Sequence, residues 1–124
     1  MSAYSERVLE YFAAPAHAGD LQQGVTVLHE AQDVRLQLSA RVADGVIERM
    51  RFRAWGCPHT IAAAEAVCRK LEGQPAGELL EFSASGLMEE LTVPVEKTGR
   101  ILALEDAVRL LGPLLDDQHG DISD

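Results

Sequence analysis

The spacing of apolar residues changes period twice along the chain, from helical to two and back to helical, and those changes divide the predicted elements. After Ser5, a good helix-capping residue, Val8, Leu9, Tyr11 and Phe12 recur at helical spacing, and Pro15 marks the end of a short amphipathic helix. From Gly24 the period drops to two. VTVLHE reads as a strand, and in VRLQLSARV the residues Val34, Leu36, Leu38, Ala40 and Val42 alternate with Arg35, Gln37, Ser39 and Arg41, a strand with one wet face. Asp44-Gly45 predicts a tight hairpin turn. VIERMRFRAW then resumes the alternation, with Val46, Met50, Phe52 and Ala54 on one face, Arg49, Arg51 and Arg53 on the other, and Glu48 interrupting the apolar set. After Trp55-Gly56 the period becomes helical. Pro58 suits a first helical position, and Ile61, Ala64, Cys68 and Leu71 form a stripe that stops at Gly73. A helical piece follows over Glu78–Phe82, a second over Gly86–Leu91 capped by Ser85, and then an extended connector, VPVEK. The last helix begins near Thr98–Arg100, carries Ile101, Leu104, Val108, Leu111 and Leu115, and is disturbed at Gly112-Pro113.

Strands grouped together and then a run of helices is the order of an α+β fold. We expect a three-stranded antiparallel sheet packed against helices, in one domain over residues 1–124, with a flexible acidic tail over 116–124. No apolar run approaches the roughly 20 residues of a bilayer span, and Glu6, Arg7 and Glu10 break up the start of the chain where a secretory signal would be unbroken. The expectation is a soluble, cytoplasmic protein. A net charge of −9 sets long-range repulsion against nucleic acid and anionic membranes. The arginines of the two strands form a basic stripe, either a solvated face balanced by carboxylates or a partner surface.

Candidate chemistry concentrates in WGCPHTIAAAEAVC, Trp55–Cys68. Eleven residues of helix rise about 16 Å, whereas disulfide-bonded Cα atoms sit about 4–7 Å apart and the ligands of one ion share a site a few ångströms across. Cys57 and Cys68 therefore neither bridge within one molecule nor ligate the same ion, and Cys68, on the apolar stripe, reads as core. Cys57 stands between a strand end and a helix start, where free N–H groups and the helix dipole favour a thiolate. That thiolate is suited to act as a nucleophile, a metal ligand or a sulfur acceptor, or the residue simply packs. His59 has as many readings: a donor to the thiolate, its ion-pair partner, a second ligand, or an exposed first-turn side chain.

AYSERVLEYFAAPAHAG, DVRLQLSARVADGVIERMRFRAWGC and EELTVPVEKTGRILALEDAV resemble, in order and spacing, the IscU/NifU N-terminal family of iron–sulfur cluster assembly scaffolds, from Tyr4 to about Leu111. The resemblance implies the same α+β fold, with a cluster site at one end. Such scaffolds use three cysteines, an aspartate, and a histidine beside the third cysteine. The first cysteine, in a Cys-Gly-Asp loop, corresponds here to Ala31 in Ala31-Gln32-Asp33, so the aspartate remains as Asp33. The second corresponds to Cys57 in Trp55-Gly56-Cys57. The His-Cys pair that opens the last helix corresponds to Gly99-Arg100, and the LPPVK chaperone-recognition segment to Val93–Lys97.

One thiolate is a poor cradle for a cluster that takes about four. The resemblance thus implies a scaffold-like protein with a degenerate site, in which Cys57, Asp33 and His59 are the candidate metal ligands and Arg100 fills the place of a ligand, paired with Asp33 or the Cys57 thiolate. Iron or an iron–sulfur cluster held weakly, zinc, or no cofactor at all are the expected contents. Cysteine desulfurase or other iron–sulfur assembly proteins are the implied partners, together with a homodimer in which two copies of Cys57 contribute. A cluster-free adaptor on the same fold, and a thiol or persulfide protein using Cys57 with His59 as base, stand as alternatives. No nucleophile elbow, phosphate loop or paired-acid array points to an enzyme.

Overall fold

The computed structural model describes residues 5–31 and 34–123, with side chains described through residue 115. Nine elements follow in order: α1 (Glu6–Ala13), β1 (Val25–Ala31), β2 (Val34–Ala43), β3 (Val46–Trp55), α2 (Pro58–Leu71), α3 (Glu78–Glu81), α4 (Ser85–Glu90), a 3-10 turn (Val95–Lys97) and α5 (Thr98–Ser123). The strands form one antiparallel sheet in the order β1-β2-β3. One face buries Leu36, Leu38, Met50 and Phe52 against α2 and α5, while Arg35 and Arg53 on the other face are about half exposed. The expected α+β architecture is what the chain adopts.

Ser5 caps α1 by accepting the Val8 N–H (3.3 Å), and its hydroxyl donates to the Leu91 carbonyl (2.9 Å), tying the chain start to the end of α4. Of the expected stripe, Val8 and Tyr11 are buried, whereas Leu9 and Phe12 remain exposed. Asp44 and Gly45 both take positive φ, the requirement of the tight hairpin turn. The arginine stripe is matched by carboxylates: Arg35 with Glu30, Arg41 with Glu48, Arg51 with Glu72 and Arg53 with Asp20.

Four local expectations are corrected. The register between β2 and β3 passes from Arg41 opposite Arg49 to Val42 opposite Ile47, so Glu48 is a bulged extra residue. The bulge reverses the alternation before it, and Ile47 is buried where Val46 was expected. Ser85 is the first residue of α4 rather than its cap; the cap position is Ala84, whose N–H donates to Glu105 (2.8 Å). VPVEK is extended only at its start, because Val95–Lys97 close a 3-10 turn. Finally, α5 continues through Pro113. Proline removes one intrahelical N–H, but the helix is held on both sides of it by Leu111 and Leu115, which are buried in the core.

The segment between α1 and β1 is anchored by a carboxylate on α2. Glu65 is fully buried: its Oε1 accepts the His17 N–H (2.8 Å), and its Oε2 accepts from Arg69 Nε (2.7 Å) and lies 2.7 Å from His17 Nδ1. Glu72 completes the cluster, with Oε1 3.3 Å from His17 Nε2 and Oε2 accepting from Arg51 and the Met50 N–H.

Gly24 enters β1 at φ +127°, and a Cβ there would collide with the Ala40 carbonyl oxygen. Both the dihedral and the contact are fixed by backbone, so Gly24→Ala is expected to cost roughly 2–3 kcal/mol, read as a lowered denaturation midpoint at unchanged m-value.

Candidate functional site

Cys57 is the N-cap of α2: its carbonyl accepts from the Thr60 and Ile61 N–H groups (2.9 and 3.2 Å). The sequence folds this way because Gly56 ends the strand and Pro58 supplies a preformed first helical residue with no N–H to lose. The thiol is partly exposed, and its Sγ lies 3.7 Å from Thr60 Oγ1. Partial burial pushes the thiol pKa up, but the Thr60 N–H and hydroxyl, the Arg100 side chain and the His59 N–H outweigh it and bring the pKa down to about 7. The thiolate is therefore far more accessible at neutral pH than in an ordinary cysteine. Cys68 is fully buried two and more turns along α2, and burial, reinforced by Glu65 and Glu72, pushes its thiol far up. It is core, and the two cysteines are not bonded.

His59 is buried, at 2% exposure, rather than an exposed first-turn residue. Burial, then the cations of Lys97 and Arg100, lower its pKa, with Glu96 opposing, so the neutral imidazole prevails at neutral pH. That disfavours an imidazolium–thiolate pair with Cys57. Arg100, in the first turns of α5, is placed to favour the Cys57 thiolate, one of the two roles expected of it. Asp33, the other partner considered for Arg100 and the third candidate ligand, lies outside the described residues.

Among the described residues, no three His, Cys, Asp or Glu side chains gather as a metal-binding group. The chemistry of this corner points the same way: one thiolate and one neutral imidazole face two protein cations, and a cation beside the thiolate competes with a metal for its charge. Among the described residues the corner offers one thiol and one imidazole, against the roughly four ligands a cluster takes. These residues fit a thiolate held ready by hydrogen bonds and a guanidinium.

Thr60 and Lys97 were not anticipated as parts of this corner. Thr60 was legible in principle, since a hydroxyl three residues after an N-cap lies over it. Lys97 was not, because it reaches the corner through the turn before α5. An open groove of about 460 Å³, lined by Phe12, Pro15, Phe52, Trp55 and Ile61, adjoins the same strand-to-helix junction.

Alkylation of Cys57 across a pH series should show a midpoint near 7, and Arg100→Gln should move that midpoint upward because the cation that favours the thiolate is gone. Cys68 should stay unlabelled until the chain unfolds, as mapped by mass spectrometry of the labelled peptides.

The chain matches the family model described as NifU-like N terminal domain over residues 3–110. It is 30% identical over 115 residues to the iron–sulfur cluster assembly scaffold protein IscU of Haemophilus influenzae, covering 86% of this chain and 90% of that one. It is 29% identical over 115 residues to the protein of the same name from Escherichia coli strain K12, covering 86% and 89%. Among solved structures, the NifU-like protein (N-terminal) from Brucella abortus superposes with a TM-score of 0.65 at 17% identity, over 91% of this chain and 94% of that one.

Proposed function

The chain belongs to the NifU-like N-terminal domain family, and on that premise we propose that it serves iron–sulfur cluster assembly as a scaffold-type protein with a degenerate site, in which Cys57 is the one working thiolate. The observation that carries this reading is the corner itself. Cys57 sits at the start of α2 with its thiol pKa at about 7, and the Arg100 side chain favours its thiolate. Iron and sulfur are cargo in this reading, and the protein is not a catalyst. Its partners are a cysteine desulfurase or other assembly proteins of the cytoplasm, and any cluster it carries takes ligands from beyond this corner. No helix among the described residues is long and apolar enough to cross a membrane.

The thiolate favours a second reading, sulfur handling without iron. The Cys57 thiolate attacks the outer sulfur of a protein persulfide, the donor's thiolate leaves, and Cys57 holds the persulfide. Neutral His59 is no counter-ion for it, and Arg100 takes that role.

Anaerobic incubation with a cysteine desulfurase, cysteine and ferrous iron tests both. The scaffold reading expects one sulfur atom on Cys57 and a labile visible chromophore, lost in Cys57→Ser and kept in Cys68→Ser. Sulfur on Cys57 with no chromophore selects the second reading. Neither sulfur nor colour removes the chain from iron–sulfur chemistry and leaves a cluster-free adaptor.

A further inference from the structure

The two edges of the sheet are treated differently. On the free side of β3 the Met50 N–H donates to Glu72 (2.9 Å), the Phe52 N–H to the His17 carbonyl (3.0 Å), and the Phe52 carbonyl accepts from the Gly19 N–H (2.8 Å). Beyond the bulge, the Ile47 N–H donates to the Gln74 carbonyl (2.8 Å) and its carbonyl accepts from the Gly73 N–H (2.7 Å). That edge is closed by two segments, the one around His17–Gly19 and the one around Glu72–Gln74.

The same bonds set the phase of the whole ladder. Met50 and Phe52 point their main-chain groups away from β2, so Arg51 and Arg53 bond toward it, opposite Ser39 and Gln37. Leu36 and Leu38 of β2 then bond toward β1, opposite His29 and Val27. What remains is Thr26, Leu28 and Glu30, whose N–H and C=O groups face away from the sheet. Among the described residues, none of these six groups has a main-chain partner. The strand VTVLHEA carries no proline, lysine or bulge of the kind that blunts an exposed edge, and at its middle Leu28 is 56% exposed.

We infer that β1 is a self-complementary edge, and that two copies of this chain pair β1 antiparallel to β1 about a two-fold axis through Leu28, making one six-stranded sheet. In that register Leu28 faces Leu28 of the second copy, and Thr26 faces Glu30. All six outward groups of each copy find partners, no like charges stand opposite, and the two exposed leucines cover each other. A shift by one residue would set the outward groups against positions already bonded within their own sheet, so the phase selects the register. One seven-residue strand pair is smaller than the roughly 1,200–2,000 Å² of standing complexes, so the dimer forms only at high concentration. It strengthens with salt, which screens two chains of charge −9.

This dimer does not join two copies of Cys57. The corner lies about four residues beyond Leu28 along the strand direction and at the end of the third strand from the axis, which separates the two corners by about 25 Å along the strands and about 24 Å across them, at opposite ends of the shared sheet. The inference stands apart from the proposed function, since it needs neither iron nor a reactive thiol.

Sedimentation of the full chain over a concentration series should show the mass rising toward two chains below about 1 mM. Leu28→Lys, at an exposed position, should raise the dissociation constant roughly tenfold or more by setting two cations across the axis. In a Cys57→Ser background, Leu28→Cys should form an intermolecular disulfide under mild oxidation. Thr26→Cys should not, because two copies of residue 26 would lie about 14 Å apart, beyond disulfide reach. A chain monomeric throughout, a dimer indifferent to Leu28→Lys, or equal cross-linking of both cysteine variants would overturn the proposal. If Leu28→Lys fails to fold, the cross-linking pair decides.

Discussion

Replacing Glu65 with alanine should lower the stability of the protein by about 3 kcal/mol and its thermal midpoint by about 10 °C, a loss comparable to truncating a large core side chain. Glu65 has no solvent exposure, and its carboxylate receives the His17 N–H and Arg69 while one oxygen meets the His17 ring. Truncation strands the His17 N–H in a partly buried place and removes the acceptor that holds the α1–β1 segment to α2. Glu65→Gln keeps an acceptor for that N–H and should cost markedly less. Circular dichroism melting compares the variants. Cys57 alkylation should keep its midpoint in both folded variants, because Glu65 sits two turns down α2 from the thiol. A loss under 1 kcal/mol for Glu65→Ala would mean that the cluster contributes little net stability, as buried ion pairs sometimes do.

Restoring the ligand positions should have the largest effect on function. Ala31→Cys, Gly99→His and Arg100→Cys together supply the residues that the family resemblance places at those positions, and they remove the cation beside Cys57. Three thiolates offset the charge of iron and sulfide where one does not. The triple variant should therefore hold a cluster chromophore through desalting, at about one cluster per chain, where the natural chain holds at most a labile one. Arg100→Cys alone should gain less, since Ala31 still offers no ligand. A triple variant that melts cooperatively yet stays colourless after reconstitution would show that geometry, and not only donor chemistry, has been lost at this corner.

Much of the fold was legible because local signals and core burial agree. Period-two alternation in β2 placed Leu36 and Leu38 inside, and Asp44-Gly45 marked a turn that only positive φ makes. The misreadings fall where one residue changes the phase or where packing overrides propensity. Glu48 was seen as an interruption but not as a bulge, because a bulge is defined by its partner strand. Pro113 was expected to disturb α5, but the core contacts on either side of it hold the helix together. At the candidate site, Cys57, His59 and Arg100 were all named from the sequence, and a thiolate at Cys57 was expected, yet the state of His59 was not. Burial and the cations of Lys97 and Arg100 favour a neutral His59, and neither is visible in PHT.

The sequence by itself determined the element order, the burial of Cys68, and the exclusion of Cys68 from any site shared with Cys57, because residue spacing and identity decide these alone. Only the tertiary structure decided that Arg100 and Thr60 favour the Cys57 thiolate, that Glu65 is a buried anchor rather than a surface charge, and that, among the described residues, the outer edge of β3 is covered while that of β1 has no main-chain partner. Each of these depends on groups brought together from distant parts of the chain. A hydrogen bond, a desolvated charge or an unpaired strand edge has no meaning until the partner segment is in place, and the polar groups most dependent on that placement are those that give this protein its chemistry.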